Sequence, residues 1–508
     1  MLYRPLMILG AGSDVGKTLL AAALCRIFRQ DGVRVAPFKA QNMALNSFIT
    51  PAGGEMGRAQ VLQAQAAGLT PHVDMNPILL KPSRGVGCQV IVQGKVYGNL
   101  TSAEYYRRKP ALMRTVMACF RRLAAAHELI ILEGAGSAVE LNLRRSDLVN
   151  FAMAKKAGAA ALLVADIDRG GVFAATIGSF NLLTPGQRRL LAGFIINKFR
   201  GDPALFAEGV KIIEKRTRRP VLGVVPYLAD LALPEEDSVP LDRQRSTCGQ
   251  PAKKGVLNIG VIRLPHISNY TDFGPLKQEP KVHLRYLDAA ESLDGLDVLI
   301  LPGTKSTISD LVFLKHKGMA DKIQAFAESG GHIVGICGGY QMLGLEVRDP
   351  VGVEGEPGAE AGLGLLPIVT TMAGTKTTTQ VAGEALGAPG AGLPVTGYEI
   401  HMGVTEIQGP GQPALAVTER NGQPVRLTDG WVAPNGRVWG AYVHGLFDND
   451  AFRRAFLDKV SRERGVARSD NSDLSWQSFQ EEQLDRLAQT VRRHLDMEKI
   501  RALLSQAF

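Results

Sequence analysis

The sequence predicts two α/β domains in tandem, each built on a largely parallel sheet, and three observations carry that reading. A chain of 508 residues is longer than one ordinary core supports, so it is expected to divide. From Tyr3 to about Tyr227, short apolar runs alternate with stretches of helical spacing. After a polar break, the same alternation starts again at Val256.

In the first domain, residues 1–232, strands are expected at Pro5–Leu9, Val33–Phe38, Glu128–Leu132, Ala160–Ala165, Gly193–Ile196 and Pro220–Val225. Helices are expected at Lys17–Gln30, Ala103–Ala126, Leu148–Lys156 and Ala204–Lys215. Near-continuous apolar strands separated by helices are what a parallel sheet covered on both faces requires. Residues 233–254 are rich in Pro, Glu, Asp, Ser and Gln, lack a sustained apolar period and read as a linker. The second domain, residues 255–508, has strands expected at Val256–Ile262, Asp297–Leu301, His332–Ile336 and Val438–Val443. Gly352–Gly364 and Ala373–Gly392 read as Gly- and Ala-rich loops, and Trp476–Leu504 as one or two amphipathic helices closing that second domain.

Composition narrows the class. No apolar run approaches the roughly 20 residues a membrane span needs, and the apolar start runs straight into a glycine loop, as a buried first strand does. Five scattered cysteines, odd in number and never closely paired, argue against a disulfide framework or zinc site and for the cytoplasm. The net charge is +9, yet clusters such as Lys215-Arg216 with Arg218-Arg219 are short and lack interleaved aromatics. No nucleic acid and no membrane is therefore expected as a partner. A polyanionic small substrate suits a basic surface equally well, and the oligomeric state, a homo-oligomer included, stays open.

The first candidate site is Gly10-Ala11-Gly12-Ser13-Asp14-Val15-Gly16-Lys17-Thr18, between the first strand and the first helix. Glycines let backbone N–H groups turn inward around phosphate oxygens, and the helix N-terminus adds its positive end. Lys17 would reach the outer phosphates and the Thr18 hydroxyl would hold Mg²⁺. The strict pattern has a glycine where Ala11 stands, and the flanking Gly10 and Gly12 resemble the loop of dethiobiotin-synthetase-like P-loop proteins. Mg²⁺ also needs a carboxylate. Glu133, in the Gly-flanked run Glu133-Gly134-Ala135-Gly136 at a strand end, is the candidate, ahead of Asp166 and Asp168, which serve equally well as caps.

The second candidate site is Gly335-Ile336-Cys337-Gly338-Gly339-Tyr340-Gln341. Small residues around a nucleophile are what a tight strand-to-helix turn demands, and a helix N-terminus favours the thiolate of Cys337. The Gly338 N–H would face an oxyanion, with a second donor from Leu301-Pro302-Gly303-Thr304. The thiol needs a base. His444, at the end of a strand, is favoured over His401, which follows the strand-like stretch Val395–Ile400.

Five runs in order, Phe38–Ser47, Asp166–Gly171, Pro302–Thr307, Gly335–Gln341 and Tyr442–Phe447, give the chain a resemblance to the cobyric acid synthase family over nearly its whole length. The resemblance implies a class I glutamine amidotransferase-like second domain and an ATP-dependent first domain with Mg²⁺. It also implies amidation of the b, d, e and g carboxylates of adenosylcobyrinic acid a,c-diamide, through an acyl phosphate and a Cys337 thioester. Gln341 matches a position that helps hold glutamine. Many amidotransferases carry a Glu two residues after the base, where this chain has Leu446, so Glu399, a backbone carbonyl or a plain dyad remain as alternatives for orienting His444. Two rival readings stand beside this one. The a,c-diamide synthase carries an acid in the segment where Lys39–Ser47 has none, and a P-loop regulatory or partitioning ATPase with a degenerate glutaminase-like domain would not keep an intact elbow.

Overall fold

The computed structural model describes residues 3–83, 87–233, 251–467 and 474–505. Six parallel strands, β1 (Leu6–Gly10), β2 (Val35–Phe38), β3 (Leu129–Glu133), β4 (Ala160–Asp166), β5 (Leu191–Phe199) and β6 (Val221–Pro226), form the first sheet in the order β6-β5-β4-β1-β3-β2. β1 to β4 are buried along their whole length, which their unbroken apolar runs require. β1 is central, so the glycine loop leaves the middle of the sheet. The neighbours β3 and β4 bring Glu133 and Asp166 to the same edge. The helix Lys17–Gln30 follows at once, as expected. The expected Leu148–Lys156 helix is shorter, Phe151–Ala157, because Asp147 takes the N–H groups of Val149, Asn150 and Ala152 and holds the chain in a turn first. Between β2 and the helix Ser102–Ala126 the chain makes a small four-stranded sheet of Gln41–Met43, Ile78–Ser83, Gly87–Val92 and Lys95–Thr101, which the sequence reading did not anticipate.

The second sheet has eleven strands. Its parallel part runs in the order Val282–Leu287, Leu257–Ile262, Val298–Leu301, His332–Ile336, Val438–Ala441 and continues into antiparallel strands. Two expected loops are strands in part. Gly358–Ala361 pairs with Glu346–Asp349, and residues 373–385 belong to the 18-residue strand Ile368–Ala385. Glycine there marks close backbone approach: a Cβ at Gly383 would meet the Ala416 carbonyl oxygen at 1.9 Å. The run Thr377–Thr379 supplies β-branched side chains between those small residues.

The C-terminal helices correct the expected domain plan. Apart from Trp476, which touches Asp450 and Gly274 of the second domain, Trp476–His494 and Met497–Ser505 cover the first domain. Leu484, Leu487, Val491, Ile500 and Leu504 share one buried cluster with Leu6, Ile8, Leu20 and Leu24. Arg26 of the first helix pairs with Glu481 and Asp485, each at 2.7 Å. The Lys17–Gln30 helix is buried on nearly all sides, so it needs an outer layer, and these amphipathic helices provide it. Most of the expected linker, residues 234–250, lies outside the described residues, as does Cys248.

The two domains share a polar interface. Buried Glu55 takes Lys81 at 2.7 Å from its own domain and Lys376 at 2.6 Å from the long strand of the other. The Ser47 N–H donates to Asn269 Oδ1 at 2.9 Å, and the Phe48 and Tyr398 rings meet edge to face at 5.2 Å. Among the described residues, no helix is long and apolar enough to cross a membrane.

Candidate active sites

The glycine loop has the backbone geometry of a phosphate cradle. Gly16 has φ +93°, and a Cβ there would meet Asn197 Nδ2 at 2.2 Å. A Cβ at Gly10 would meet the Gly12 carbonyl oxygen at 2.6 Å and Lys17 Nζ at 2.9 Å, so these two positions exclude other residues. Gly12 is under no such constraint, its nearest contact being Val15 at 3.8 Å. Lys17 Nζ donates to the carbonyls of Gly12 and Gly136, at 3.2 and 3.0 Å, which holds the cation over the loop.

Thr18 Oγ1 donates to Glu133 Oε1 at 2.8 Å, bringing together the two residues expected at the metal. Glu133 is 1% exposed and also takes Lys39 at 3.1 Å and Gln63 at 2.6 Å. Lys39 sits in the Lys39–Ser47 run and is itself buried, a member of this site that sequence reasoning quoted without giving it a role. Asp166 and Asp168 are held elsewhere. Asp166 pairs with Lys198 at 3.1 Å and accepts the Asp168 N–H, while Asp168 pairs with Arg200 at 2.5 Å. Lys17 and Lys39, the latter bonded to the acid that holds Thr18, line a cavity of about 690 Å³ together with Met43, Tyr106 and Leu143.

The elbow in the second domain is strained in the way its glycines allow. Cys337 has φ +51° and ψ −109°, an uncommon conformation for a residue with a Cβ. A Cβ at Gly335 would meet the Tyr340 backbone at 2.7 Å, and one at Gly339 would meet the Leu301 carbonyl oxygen at 2.0 Å. Gly338 packs on the Leu301–Thr304 turn, since a Cβ there would lie 3.1 Å from Thr304 N. The expected oxyanion segments are thus neighbours. A Cβ at Gly303 would meet His444 Cε1 at 3.0 Å, so the same turn also backs the base.

His444 reaches Cys337 because their strands are adjacent and in register. Ile336 lies beside Ala441, Cys337 N donates to the Ala441 carbonyl at 2.8 Å, and the chain then turns to bring His444 over the elbow. Buried Asp429 accepts the N–H groups of Tyr442 and Val443 and fixes that turn. The His444 backbone exchanges hydrogen bonds with Tyr398, whose ring stacks on the imidazole at 5.2 Å. Nδ1 of His444 lies 2.6 Å from Asp272 Oδ2. Burial works against a charged ring, but Asp272 and the hydrogen-bonded Cys337 outweigh it and push the pKa of His444 up to about 10. The ring therefore keeps its proton at neutral pH, and an imidazolium beside a thiol favours the nucleophilic thiolate.

Asp272, from the turn Tyr270–Phe273, is thus the carboxylate that holds the His444 ring, and sequence reasoning missed it. Glu399, offered for that role, is spent on Arg420 and Thr379, both at 2.7 Å. His401 lines the Cys337 cavity but is fixed by the Gly403 carbonyl at 2.9 Å and by stacking on Tyr442 at 3.8 Å. Hence His401→Ala should cost glutamine hydrolysis no more than about tenfold, against the 10²–10⁴-fold typical of a general base for His444→Ala. Steady-state glutamate release on both variants checks this, and the opposite ranking would exchange the two roles. Gln341 is held by Thr307 at 2.8 Å and Tyr442 at 3.2 Å, and it lines the same cavity as Cys337.

Comparison with known proteins agrees with both halves. Residues 6–241 match the CobQ/CobB/MinD/ParA nucleotide binding domain, and residues 258–452 match the CobB/CobQ-like glutamine amidotransferase domain. The chain is 54% identical to the cobyric acid synthase of Syntrophobacter fumaroxidans, over 99% of this chain and 98% of that one. It is 49% identical to that of Pelotomaculum thermopropionicum, over 99% and 96%. With the cobyric acid synthase of Salmonella typhimurium the figures are 48% identity over 98% of each chain. A phosphate cradle, a Cys-His-Asp site and full-length similarity of this order mean that the chain belongs to the cobyric acid synthase family, carbon–nitrogen ligases that take their nitrogen from glutamine.

Proposed function

We propose that this enzyme amidates the b, d, e and g carboxylates of adenosylcobyrinic acid a,c-diamide, using one ATP and one glutamine for each. The reading is supported by the names of its full-length relatives and by two chemically distinct clusters of side chains in one chain. At the second site the Cys337 thiolate attacks the glutamine side-chain carbonyl, and the Gly338 and Thr304 N–H groups face the oxyanion. His444 gives a proton to the leaving nitrogen, and NH₃ departs. Water, deprotonated by His444, then cleaves the thioester and releases glutamate. At the first site a corrinoid carboxylate oxygen takes the γ-phosphoryl group of ATP, leaving ADP. NH₃ adds to the resulting acyl phosphate and expels phosphate, giving the amide.

The donor chemistry fits Mg²⁺, a hydroxyl and a carboxylate standing 2.8 Å apart beside the glycine loop. Thr18 and Glu133 would hold the ion, and when bound it neutralises charge developing on the phosphates. Lys17 and Lys39 supply the protein's own positive charge there. Lys17→Ala is expected to lower amidation about 10²–10³-fold with glutamine or ammonium alike, by analogy with removal of one fixed donor to a transition-state oxyanion. Near-normal ammonium-driven rates in that variant would dismiss the cradle assignment. The function itself is tested by incubating the protein with the a,c-diamide, ATP and glutamine and reading products by mass. A ladder ending at the fourth amide is expected, and an unchanged corrinoid would overturn the proposal.

A further inference from the structure

The 690 Å³ cavity that Lys17 and Lys39 line has an apolar part to its lining as well. Met43 is 54% exposed, Leu143 41% and Tyr106 38%, and all three line this one mouth. They come from separate elements: Met43 from the segment after β2, Tyr106 from the helix Ser102–Ala126, and Leu143 from the turn Leu141–Ser146. Scattered single apolar residues need no explanation, but three converging on one opening do. None of them belongs to the glycine loop or to the residues around Glu133. Cations stand among them. Lys109 Nζ lies 4.4 Å over the Tyr106 ring and uses one of its three donors on the Ser146 carbonyl at 2.7 Å. Arg144 lines the same mouth. Of the acids there, Asp14 is paired with Arg169 and Asp147 accepts three backbone N–H groups, which leaves Glu140.

We infer that this mouth is the seat of the corrinoid ring: Met43, Tyr106 and Leu143 take the face of the macrocycle, and Lys109 and Arg144 take peripheral carboxylates not turned toward the cradle. This rests on the corrinoid reading of the same site. A large, flat, apolar ring fringed with carboxylates matches an apolar wall set with cations, and small hydrophilic carboxylic acids do not. Apolar contact is also non-directional. The ring can therefore turn in its own plane and present different edge carboxylates to one fixed cradle, which a reaction at several positions requires. Each amidation removes a charge that Lys109 or Arg144 reads. Affinity should consequently fall as the substrate is converted, which favours release of the finished product.

Equilibrium dialysis of the full-length protein, followed by the corrinoid's own colour, tests this with the a,c-diamide and with its fully converted product, cobyric acid. Tyr106→Ala and Leu143→Ala should each weaken binding of both about 3–10-fold, as loss of a partly buried apolar side chain implies. Tyr106→Phe should bind as the parent does, because the ring is used and not the hydroxyl. Lys109→Gln should weaken the a,c-diamide several-fold, leave cobyric acid nearly unaffected, and so narrow the difference between them. Binding of ATP, whose glycine loop lies in the same domain as these substitutions, reports that each variant is folded. If the parent protein binds and folded variants bind equally well, the seat is elsewhere and the corrinoid reading survives. Failure of the parent protein to bind either corrinoid removes that reading, and the seat with it.

Discussion

Cys337→Ala is expected to lose glutamine-driven amidation by about 10⁴–10⁶-fold, the scale on which removal of a nucleophile acts, while amidation with high ammonium continues at close to the parental rate. Cys337 is 6% exposed and its Sγ lies 3.6 Å from the Ile400 carbonyl, so the thiol sits inside the second domain. Alanine keeps the Cβ and meets the same φ of +51° as cysteine, so the substitution adds no backbone strain of its own. The cavity it opens is one sulfur atom in size. Free NH₃ needs no thioester, and the cradle with Lys17, Thr18, Lys39 and Glu133 is untouched. Measuring amide formation with each nitrogen source in the same preparation separates the outcomes. Equal loss with both would mean that Cys337 serves the structure shared by the two halves, not the release of nitrogen.

How much of this was legible depended on how local each device is. The glycine cradle and the elbow are runs of consecutive residues whose purpose is set by their own backbone, and both stand where the sequence placed them. His444 was legible through a weaker rule, that strand ends of one sheet share an edge, and the register of Ile336 with Ala441 shows why the rule worked. Asp272 had no such signal. The segment Leu264–Phe273 shows neither helical nor strand period, and its carboxylate matters only because the turn at Tyr270–Phe273 folds back beneath His444. The available hint was a cluster of turn-forming residues, Ser268, Asn269, Thr271 and Asp272, soon after a buried strand. The Ile368–Ala385 strand misled for the opposite reason. Its Gly and Ala content suggested a loop, whereas small residues there admit a neighbouring backbone. The C-terminal helices showed that a face must be buried but not on which domain, because periodicity names no partner.

Asp272→Asn should reduce glutamine hydrolysis about 10³–10⁴-fold, the cost seen when the acid behind a catalytic histidine is made neutral, and leave ammonium-driven amidation unchanged. Asn keeps the size of the side chain and can keep the turn, so a purely structural Asp272 would lose little. What Asn cannot keep is the charge 2.6 Å from His444 Nδ1. Burial alone lowers the pKa of this ring, and Asp272 is the strongest influence raising it. Removing the carboxylate therefore lowers the pKa of the ring, which gives up its proton at lower pH than before. The imidazolium needed beside the thiolate is then lost earlier on the alkaline side, so the alkaline limb of the glutaminase pH profile should move to lower pH. A conservative Asp272→Glu should restore part of the rate and move that limb back. Should Asp272→Asn hydrolyse glutamine within a few-fold of the parent with an unshifted profile, Cys337 and His444 would be acting as a dyad, and the carboxylate would be only a prop for the turn.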